Sequence, residues 1–369
     1  MIPSLYVHVP FCLRKCNYCD FYSLPLSAAG DLFREYPRLL EKELTLWQSR
    51  IEPGSFSTVY FGGGTPSLLE PETIGHFLSL LKSEQAEITL EANPETLDAQ
   101  RLSAFREAGV NRLSLGVQSF SPRFLEAMGR GHSPEQSRRA IRDARKAGFE
   151  NIGLDLIFGL PGQSLEDWAH ELEEALALET EHISLYGLTI SQDCPWGKAG
   201  LSPQNDDLQA DMLELATEKL NRAGILQYEI ANFARPGFAS RHNRAYWRRE
   251  NYLGLGPAAA GCIRNHRWNN VCDLPRWAAA VEKGELPLEG EELLSMDQVI
   301  AEAMFLGLRL LEGINCLDFA AQYGLDPRKR FKREISRMKK AGLLEEDENQ
   351  LHLSRRGILL GDAVFAEFV

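Results

Sequence analysis

The chain has 369 residues, of which 44% are hydrophobic and 25% are charged, so it is long enough for one large globular unit and a smaller one. It contains no apolar run long enough to span a bilayer, and its formal net charge of -12 disfavours nucleic acid or an anionic membrane as the main partner. Seven cysteines, an odd number, and an N-terminus without the features of a signal peptide argue against a disulfide-built secreted protein and predict a cytoplasmic one.

Three cysteines stand close together directly after the first apolar strand. They are Cys12, Cys16 and Cys19, in the spacing C-x3-C-x2-C. Thiolates at this spacing can bind three irons of a cubane iron-sulfur cluster, and because no fourth cysteine follows nearby, the remaining iron would keep an open coordination position. The spacing alone leaves two alternatives open: a zinc site completed by His8 or a distant cysteine, and a set of buried structural cysteines.

This motif resembles the signature of the radical S-adenosylmethionine (SAM) superfamily. In that superfamily three cysteines hold a [4Fe-4S] cluster, and SAM binds the fourth iron through its amino and carboxylate groups. The resemblance implies that Cys12, Cys16 and Cys19 are the cluster ligands, with the rings of Phe11 and Tyr18 shielding the cluster from water. The hard chemistry would belong to the cofactor, and the protein would orient it.

Short apolar strands alternate with amphipathic helical stretches from residue 5 to residue 188, which is the pattern of repeated βα units around a parallel sheet. The sequence predicts helices near 33–48, 71–81, 98–108 and 165–178, and another after the capping box Ser133-Pro134-Glu135-Gln136. The predicted strands are 5–9, 58–61, 88–91, 112–118, 151–158 and 182–188. Six such units predict an α/β fold, a partial (β/α)6 barrel whose function gathers at the carboxyl ends of the strands.

Polar and glycine-rich segments follow several of these strands. Three glycines and Thr65 follow the second strand, where they allow tight turning and close approach of backbone N–H groups to an anionic ligand. Glu91 ends the third strand, Gln118 ends the fourth, and Asp155 lies within the fifth. Each feature alone is compatible with an ordinary turn or a helix cap, but their recurrence at strand ends indicates one binding site.

A resemblance to the oxygen-independent coproporphyrinogen oxidase family extends along nearly the whole chain. It rests on the runs Phe61 to Pro66, Glu91 to Pro94, Gly116 to Phe120, Gly129 to His132 and Asp155 to Gly162. Within it, Gly64 and Thr65 would meet the methionyl part of SAM, Arg130 its carboxylate, and Asp155 or Glu91 the ribose hydroxyls or the amino group. The residues implied to contact SAM are Tyr6, Tyr18, Gly63, Gly64, Thr65, Glu91, Gln118, Arg130 and Asp155.

The alternation of predicted strands and helices becomes less regular after residue 188. The sequence predicts a helix at 205–223, a strand at 228–233 and a turn-rich loop at 254–257. Between them lies the run Arg241-His242-Asn243-Arg244-Ala245-Tyr246-Trp247. Imidazole is a common haem ligand and flat aromatic rings can stack on a macrocycle, so this run suits a porphyrin site. A histidine held by hydrogen bonds in the core is the alternative.

The pattern HNxxYW resembles one branch of the family, the HemW-type haem chaperones, which bind haem and pass it to haemoproteins. The resemblance implies a haem site at His242, Asn243, Tyr246 and Trp247. Coproporphyrinogen oxidases carry a further cysteine where this chain has Phe21, and a longer segment before the cluster, so both departures count against decarboxylation. Relatives often have histidine where this chain has Ala260, which counts against a haem ligand from that loop.

The C-terminal part from about residue 296 predicts a small, mostly helical, winged-helix-like unit. Helices are predicted at 300–311, 317–322 and 328–341, followed by a hairpin that turns at 345–349. The basic residues of the third helix could bind nucleic acid, but a solvated helix face is the preferred interpretation, and no nucleic-acid partner is expected. The predicted division is a radical SAM core at 1–235, a haem-motif connecting region at 236–295 and the C-terminal unit at 296–369.

The resemblance thus implies a haem chaperone with three cofactors or ligands: a [4Fe-4S] cluster, SAM and haem. Its implied partners are client haemoproteins, respiratory ones among the candidates, and a low-potential electron donor. The sequence leaves open whether SAM is cleaved and whether the chain forms a homodimer. The alternative function is oxidative decarboxylation of coproporphyrinogen III, in which a radical derived from SAM abstracts hydrogen from a propionate side chain.

Overall fold

The computed structural model describes residues 4–51 and 55–369. Part of the N-terminal argument about a signal peptide rests on residues 1–3, which lie outside the described residues. The strands are β1 (Ser4–Val9), β2 (Phe11–Cys12), β3 (Leu24–Pro25), β4 (Thr58–Gly63), β5 (Glu87–Ala92), β6 (Arg112–Gln118), β7 (Ile152–Phe158), β8 (His182–Gly187), β9 (Leu226–Gln227), β10 (Asn232–Ala234), β11 (Tyr252–Leu255), β12 (Ala260–Ile263), β13 (His266–Asn270), β14 (Leu288–Leu293), β15 (Ile314–Asn315), β16 (Leu344–Asp347) and β17 (Gln350–Leu353).

The helices flank these strands and carry the caps that their sequences predict. The capping box of Ser133 and Gln136 is formed, and a second joins Ser164 to Asp167. The helices are α1 (Leu26–Ala29), α2 (Leu32–Gln48), α3 (Pro71–Ser79), α4 (Ala99–Glu107), α5 (Pro122–Met128), α6 (Pro134–Lys146), α7 (Leu165–Leu176), α8 (Pro195–Lys198), α9 (Asp206–Arg222), α10 (Arg241–Trp247), α11 (Leu274–Glu282), α12 (Met296–Gly307), α13 (Cys316–Tyr323), α14 (Pro327–Arg330), α15 (Lys332–Lys340), α16 (Arg355–Leu359) and α17 (Gly361–Phe365). None of the helices in the described ranges is long and apolar enough to cross a membrane.

One open twelve-stranded sheet forms the main body, in the order β14-β13-β12-β11-β1-β4-β5-β6-β7-β8-β10-β9. The six predicted strands, β1 and β4 to β8, are parallel neighbours in chain order. Their side chains are largely buried on both faces, as in β1, where Leu5 and Val7 on one face and Ser4 and His8 on the other are all buried. The predicted partial barrel is therefore confirmed, and all six carboxyl ends reach the same edge of the sheet.

The sequence did not predict the strands that extend this sheet beyond β1. Strand β11 pairs parallel to β1, and β12, β13 and β14 continue antiparallel beyond it. The prediction of a turn-rich loop at 254–257 is therefore wrong in its first half. Gly254 lies in β11, where a Cβ would come within 2.0 Å of the Ala260 carbonyl oxygen, so glycine serves close strand pairing there.

The predicted strand at 228–233 is also wrong over its first four residues. The segment begins directly after β9, makes a turn, and enters β10 only at Asn232. In that turn the buried Glu229 carboxylate accepts a hydrogen bond from the Ala231 N–H at 3.0 Å and another from the Asn232 side chain. A local side-chain bond to the backbone thus replaces the ladder that a continuous strand would need.

Glu43 of α2 joins the added strands to the barrel. Its buried carboxylate accepts hydrogen bonds from the Asn270 side chain at 2.6 Å, the Gly256 N–H at 2.8 Å and the Trp277 indole N–H at 3.0 Å. Burial raises the pKa of Glu43 to about 7 in spite of these donors. The segment 236–295, predicted as a connecting region, is in this way packed into the main sheet, and the unit boundaries stay a prediction.

The C-terminal part has a hydrophobic core of its own. Helices α12, α13 and α15 pack with the three-stranded antiparallel sheet β15-β17-β16, which gives the expected winged-helix-like arrangement. The predicted helix at 328–341 is broken at Phe331, whose ring is buried against Phe368, so that α14 and α15 are separate. Within the described residues, four of its eight basic side chains form ion pairs, among them Arg328 with Asp326 and Lys339 with Glu346.

Candidate functional site

The three cysteines line one cavity of about 370 Å³ at the carboxyl edge of the parallel strands, which we call the cluster cavity. Cys12 ends β2, and Cys16 and Cys19 lie in the loop that follows, all three as free, partly exposed thiols. Across the described residues, no three His, Cys, Asp or Glu side chains converge closely enough to hold a single metal ion. The three thiols instead line the cavity as separate groups.

Two polar side chains approach the thiols. Arg130 donates through Nη1 to Cys16 Sγ at 3.6 Å, and the Thr65 hydroxyl donates to Cys12 Sγ at 3.6 Å. Burial raises the pKa of the Cys12 thiol, and it raises that of Cys19 to about 11. Thiolates at this site would therefore depend on a bound cationic centre, and iron supplies one. The donor set fits an iron-sulfur cluster.

The glycine-rich segment after β4 packs against the start of the cysteine loop. Gly63 has a left-handed backbone with φ of +106°, and a Cβ on Gly64 would lie 2.5 Å from the Phe11 carbonyl oxygen. The N–H groups of Gly64 and Thr65 donate to the carbonyls of Val9 and Phe11, at 2.8 and 2.7 Å. The expectation that these N–H groups face an anionic ligand is therefore wrong: the glycines allow close packing of two loops.

Carboxylates form one side of the cluster cavity. Glu91 accepts hydrogen bonds from the Tyr60 hydroxyl at 2.7 Å and from the Gly63 N–H at 3.2 Å, and Asp155 accepts from the Ser114 hydroxyl at 3.1 Å. Burial raises the pKa of both, that of Glu91 to about 7, with the nearby Asp155 charge adding to the effect on Glu91. Such groups can hold hydroxyls or an ammonium group of a ligand.

Arg130 crosses the same cavity from the loop after α5. Its Nη2 donates to the Gly116 carbonyl at 2.6 Å and to Asn93 Oδ1 at 2.5 Å. Its buried Nε has no hydrogen-bond partner among the described residues. Gln118, at the end of β6, has a left-handed backbone where the pairing of β6 with β7 shifts register.

The cluster cavity brings together most of the residues predicted from the sequence. Those that line it are Cys12, Cys16, Tyr18, Cys19, Gly63, Gly64, Thr65, Glu91, Gln118, Arg130 and Asp155. The described lining also includes Asn93, Ser114, Gly116 and Tyr186, which were not predicted as site residues. Ser114 and Gly116 share a face of β6 with Gln118, so alternation along that strand was the signal that could have found them.

Two aromatic residues lie elsewhere. The Phe11 ring is fully buried and packs edge-on against Phe33 and Tyr36, so the prediction that Phe11 shields the cluster is wrong. Tyr6 is not in the described lining of the cluster cavity. Its ring stacks on Tyr60 with centroids 6.1 Å apart, and its hydroxyl is bonded to His8 Nδ1 at 3.1 Å.

His242 of α10 is buried against the first half of β4. Its Nδ1 is 2.8 Å from the Thr58 hydroxyl, its Nε2 is 2.9 Å from the Tyr246 hydroxyl, and its ring stacks on Tyr60 at 4.9 Å. Burial lowers the pKa of His242 to about 3, so the imidazole is neutral. Both ring nitrogens are engaged within the protein, and in this arrangement neither is free to bind iron.

The other half of the motif lies on a different face of α10. Asn243 is half-buried, and its backbone N–H donates to the Ser240 hydroxyl, the cap of the helix, at 3.2 Å. Trp247 lines a second cavity, of about 460 Å³, between α10 and the C-terminal unit, which we call the junction cavity. Its described lining is Trp247, Arg248, Arg249, Glu250, Ala303, Gly307, Leu310, Glu312, Gly313, Ile314, Asn315, Asp318, Phe319, Gln322, Tyr323 and Gln350.

Comparison with protein families matches two parts of the chain. Residues 6–175 match the radical SAM superfamily, and residues 294–360 match the HemN C-terminal domain. The chain is 36% identical over 378 residues to the heme chaperone HemW of Bacillus subtilis, covering 99% of each chain. It is 39% identical over 268 residues to the heme chaperone HemW of Escherichia coli, covering 70% of each.

Among solved structures, the fold is similar to that of coproporphyrinogen III oxidase (HemN) from Escherichia coli. The TM-score is 0.86 at 23% sequence identity, over 99% of this chain and 89% of the other. A similarity at this level of identity shows the fold alone. It means that an open parallel sheet and a winged-helix-like unit occur together in a known architecture.

Proposed function

The chain belongs to the HemW family of haem chaperones within the radical SAM superfamily, and on this basis we propose that it binds a [4Fe-4S] cluster, SAM and haem and delivers the haem to client haemoproteins. The observation that carries the proposal is the cluster cavity, where three thiols meet two partly buried carboxylates and an arginine. A low-potential electron donor and client haemoproteins, respiratory ones included, are the proposed partners, and a homodimer is a further proposed state.

The roles of the residues in the cluster cavity follow from their contacts. Cys12, Cys16 and Cys19 would hold three irons, and Arg130, which already donates to Cys16, would keep that sulfur's negative charge stabilised. The ring of Tyr18 lies between the loop and Trp196, and is placed to limit the access of water. When bound, the cluster and SAM would supply one-electron chemistry.

The carboxylates would orient SAM. Glu91 and Asp155 accept hydrogen bonds from neutral hydroxyls and retain acceptor capacity toward the cavity, so they suit the ammonium group and the ribose hydroxyls. Asn93 joins them, because its side chain bridges Arg130 and Thr65 at 2.5 and 3.0 Å. Asn93 therefore holds Arg130 and Thr65, the two side chains that contact the thiols, beside the part of the cavity proposed for SAM.

The alternative is oxidative decarboxylation of coproporphyrinogen III. Phe21 bears on it, because it stands where the resemblance places a further cysteine of the oxidases, and its exposed ring lines the cluster cavity. An apolar ring there cannot supply a thiol to a substrate or a second cofactor. The chaperone function is therefore the preferred proposal.

The test is anaerobic reconstitution of the full chain, followed by three measurements on one sample. Iron and sulfide are counted, binding of SAM is measured, and haem is titrated by its absorbance, with transfer to an apo-haemoprotein followed in the same spectrum. We expect a four-iron cluster, one bound SAM and transferable haem. In parallel, the reduced protein is incubated with SAM and coproporphyrinogen III, and protoporphyrinogen formed over many turnovers would overturn the chaperone function in favour of the oxidase.

A further inference from the structure

The inner face of the parallel strands, by which we mean the face whose side chains line the cluster cavity, carries a charged residue well below that cavity. In β6, Ser114 and Gly116 line the cavity, and because side chains alternate along a strand, Arg112 shares their face. Arg112 begins β6, two residues further from the cavity than Ser114. A guanidinium therefore lies beneath the residues of the proposed SAM site.

Arg112 is fully buried, with 1% of its surface exposed. Its Nε and Nη1 have no hydrogen-bond partner among the described residues. A Cβ on Gly153 of β7 would lie 3.6 Å from Arg112 Nη2 and 3.3 Å from His182 Nδ1, so the absence of a side chain there lets the guanidinium reach across to β7. Burial of a charge without a full set of partners costs free energy, and such a group calls for a reason.

The two carboxylates of the cluster cavity lie above this guanidinium. Asp155 follows Gly153 by two residues on the same face of β7, which places it about 7 Å further along the strand. Glu91 lies opposite Ser114 in the pairing of β5 with β6, and therefore two residues above the position opposite Arg112. Both carboxylates are thus on the cavity side of the buried charge.

Positive charge beneath a carboxylate favours its ionised form. The donors that bond Glu91 and Asp155 are hydroxyls and a backbone N–H, all of them neutral. Burial raises the pKa of both carboxylates, that of Glu91 to about 7, and the charge of Arg112 opposes the rise in each. Because the dielectric constant around a buried charge is low, this effect reaches further than it would at the surface.

We propose that Arg112 is a positioning residue of the SAM site, whose buried charge keeps Asp155 and Glu91 ionised and so able to hold the ammonium group and the ribose hydroxyls of SAM. The proposal rests on the proposed function, since it takes SAM as the ligand. Arg112 lies outside the described lining of the cluster cavity, so it acts through the two carboxylates and does not touch SAM. Its contribution to SAM affinity therefore depends on pH.

The tyrosines and histidines around Arg112 and the two carboxylates stay neutral between pH 6 and pH 9. Burial raises the pKa of the tyrosines above this interval and lowers the pKa of the histidines below it. These residues are Tyr6, Tyr60, Tyr186, Tyr228, His182 and His242. A change of SAM affinity in this interval therefore does not come from their titration.

Two further charges lie near these groups. Arg130 acts on Asp155 from across the cavity, in the same direction as Arg112. Glu87, at the start of β5, lies near Arg112 with the opposite charge, and its carboxylate accepts hydrogen bonds from two N–H groups at the start of α10. Removal of the Arg112 charge would leave that of Glu87 uncompensated, which would raise the pKa of Glu91 and Asp155 further.

The test is the SAM affinity of the cluster-reconstituted full chain, measured by equilibrium binding from pH 6 to pH 9. In the wild type we expect the affinity to rise with a midpoint near the pKa of Glu91, about 7. In Arg112→Met and Arg112→Gln the midpoint should move up by about one pH unit, because the opposing charge is gone. Arg112→Lys keeps the charge and should restore the wild-type midpoint. Ionisation of SAM itself is the same for every chain, so a displacement between chains reports the protein.

Arg249→Gln is the matched control. The side chain of Arg249 is also about nine-tenths buried, and it pairs with Glu302 at 3.0 Å, outside the described lining of the cluster cavity. We expect this variant to unfold at a lower temperature than the wild type and to keep the wild-type midpoint. A loss of stability thus separates from a displacement of the pH profile.

The outcomes separate this inference from the proposed function. A wild-type chain that binds no SAM would overturn both. SAM bound with the wild-type midpoint by a folded Arg112→Met or Arg112→Gln chain would overturn the role of Arg112 and leave the proposed function standing. Thermal unfolding shows which variants are folded. If both neutral variants were unfolded and Arg112→Lys were folded, the charge would serve the fold, and the inference would be overturned in that case too.

Discussion

The cluster cavity and the junction cavity are assembled in different ways. The cluster cavity takes its side chains from the ends of successive parallel strands, so residues distant in sequence arrive at one edge because every strand ends there. The junction cavity takes its side chains from the end of one helix and from a separate unit, and no repeated geometry assigns them. The residues that line a cavity can be predicted from sequence where the fold repeats one geometric rule, as it does at the ends of parallel strands. They are much harder to predict where the cavity forms between two separate units.

The largest effect is expected from replacing one of the three thiols that line the cluster cavity. In Cys16→Ser we expect loss of most of the iron and sulfide after anaerobic reconstitution, because the thiolate ligand and the partner of Arg130 disappear together. Cys272→Ser is the control, since that thiol is exposed and lies outside the described lining of the cluster cavity. Equal iron content in the two variants would show that the thiols of this cavity do not hold the cluster.

A variant of His242 tests whether the buried half of the motif is structural. His242→Ala leaves a void beside Tyr60 and removes the partner of both Thr58 and Tyr246, so we expect a loss of about 2–4 kcal/mol in the free energy of unfolding. The measurement is unfolding in urea. His170→Ala, at an exposed position on α7, is the matched control, and a His242→Ala chain as stable as that control would contradict the expectation.

The pH dependence of SAM binding sharpens the account of the cluster cavity. Because the pKa of Glu91 is raised to about 7, its carboxyl is mostly neutral at pH 6 and mostly ionised at pH 8. SAM carries positive charge, so its affinity should rise about tenfold over this interval. Equilibrium binding at several pH values measures the effect.

Two variants decide whether Glu91 is the group responsible. Glu91→Gln should bind SAM with little dependence on pH, whereas Glu43→Gln should keep the wild-type profile. Glu43 is a fitting control because burial raises its pKa to about 7 as well, but it lies between α2 and the added strands. A flat profile in the Glu43 variant and a steep one in the Glu91 variant would contradict this assignment.

The smallest expected effect belongs to Asn243. It is half-buried, and the bond that caps α10 uses its backbone N–H, which alanine retains. Asn243→Ala should therefore change the free energy of unfolding by about 0.5 kcal/mol or less, in contrast to His242→Ala one residue earlier. A loss as large as that of His242→Ala would mean that both halves of the motif are packed in the core.

Most of the barrel could be predicted from the sequence because its strands are short, apolar and separated by capped helices. The same regularity predicted Glu91, Gln118 and Asp155 at one edge. The strands β11 to β14 could not be predicted in this way, since the turn residues around Gly254 look like a loop until Ala260 and Tyr6 are known to lie beside them. Pairing with a distant segment, and not local preference, decides their conformation.

The surroundings of individual side chains were the least predictable. Phe11 follows the same strand as the cysteines, yet its ring turns into the core, where Phe33 and Tyr36 complete the packing. His242 looked like a candidate ligand because its sequence neighbours are aromatic. The hydroxyl of Thr58, 184 residues earlier in the chain, is hydrogen-bonded to Nδ1 of His242, and only the folded chain brings the two residues together.

The position of β1 in the middle of the sheet determines how late in synthesis its pairing can be completed. One of its edges pairs with β4, which leaves the ribosome soon after it, but the other waits for β11, where Ser4 meets Tyr252. During synthesis this central strand therefore keeps an open, apolar edge until about two thirds of the chain has emerged, which is a hazard for association with other nascent chains. The loop that carries the cysteines is attached to this strand, so a nascent chain would complete the support of this loop late, after most of the barrel has formed.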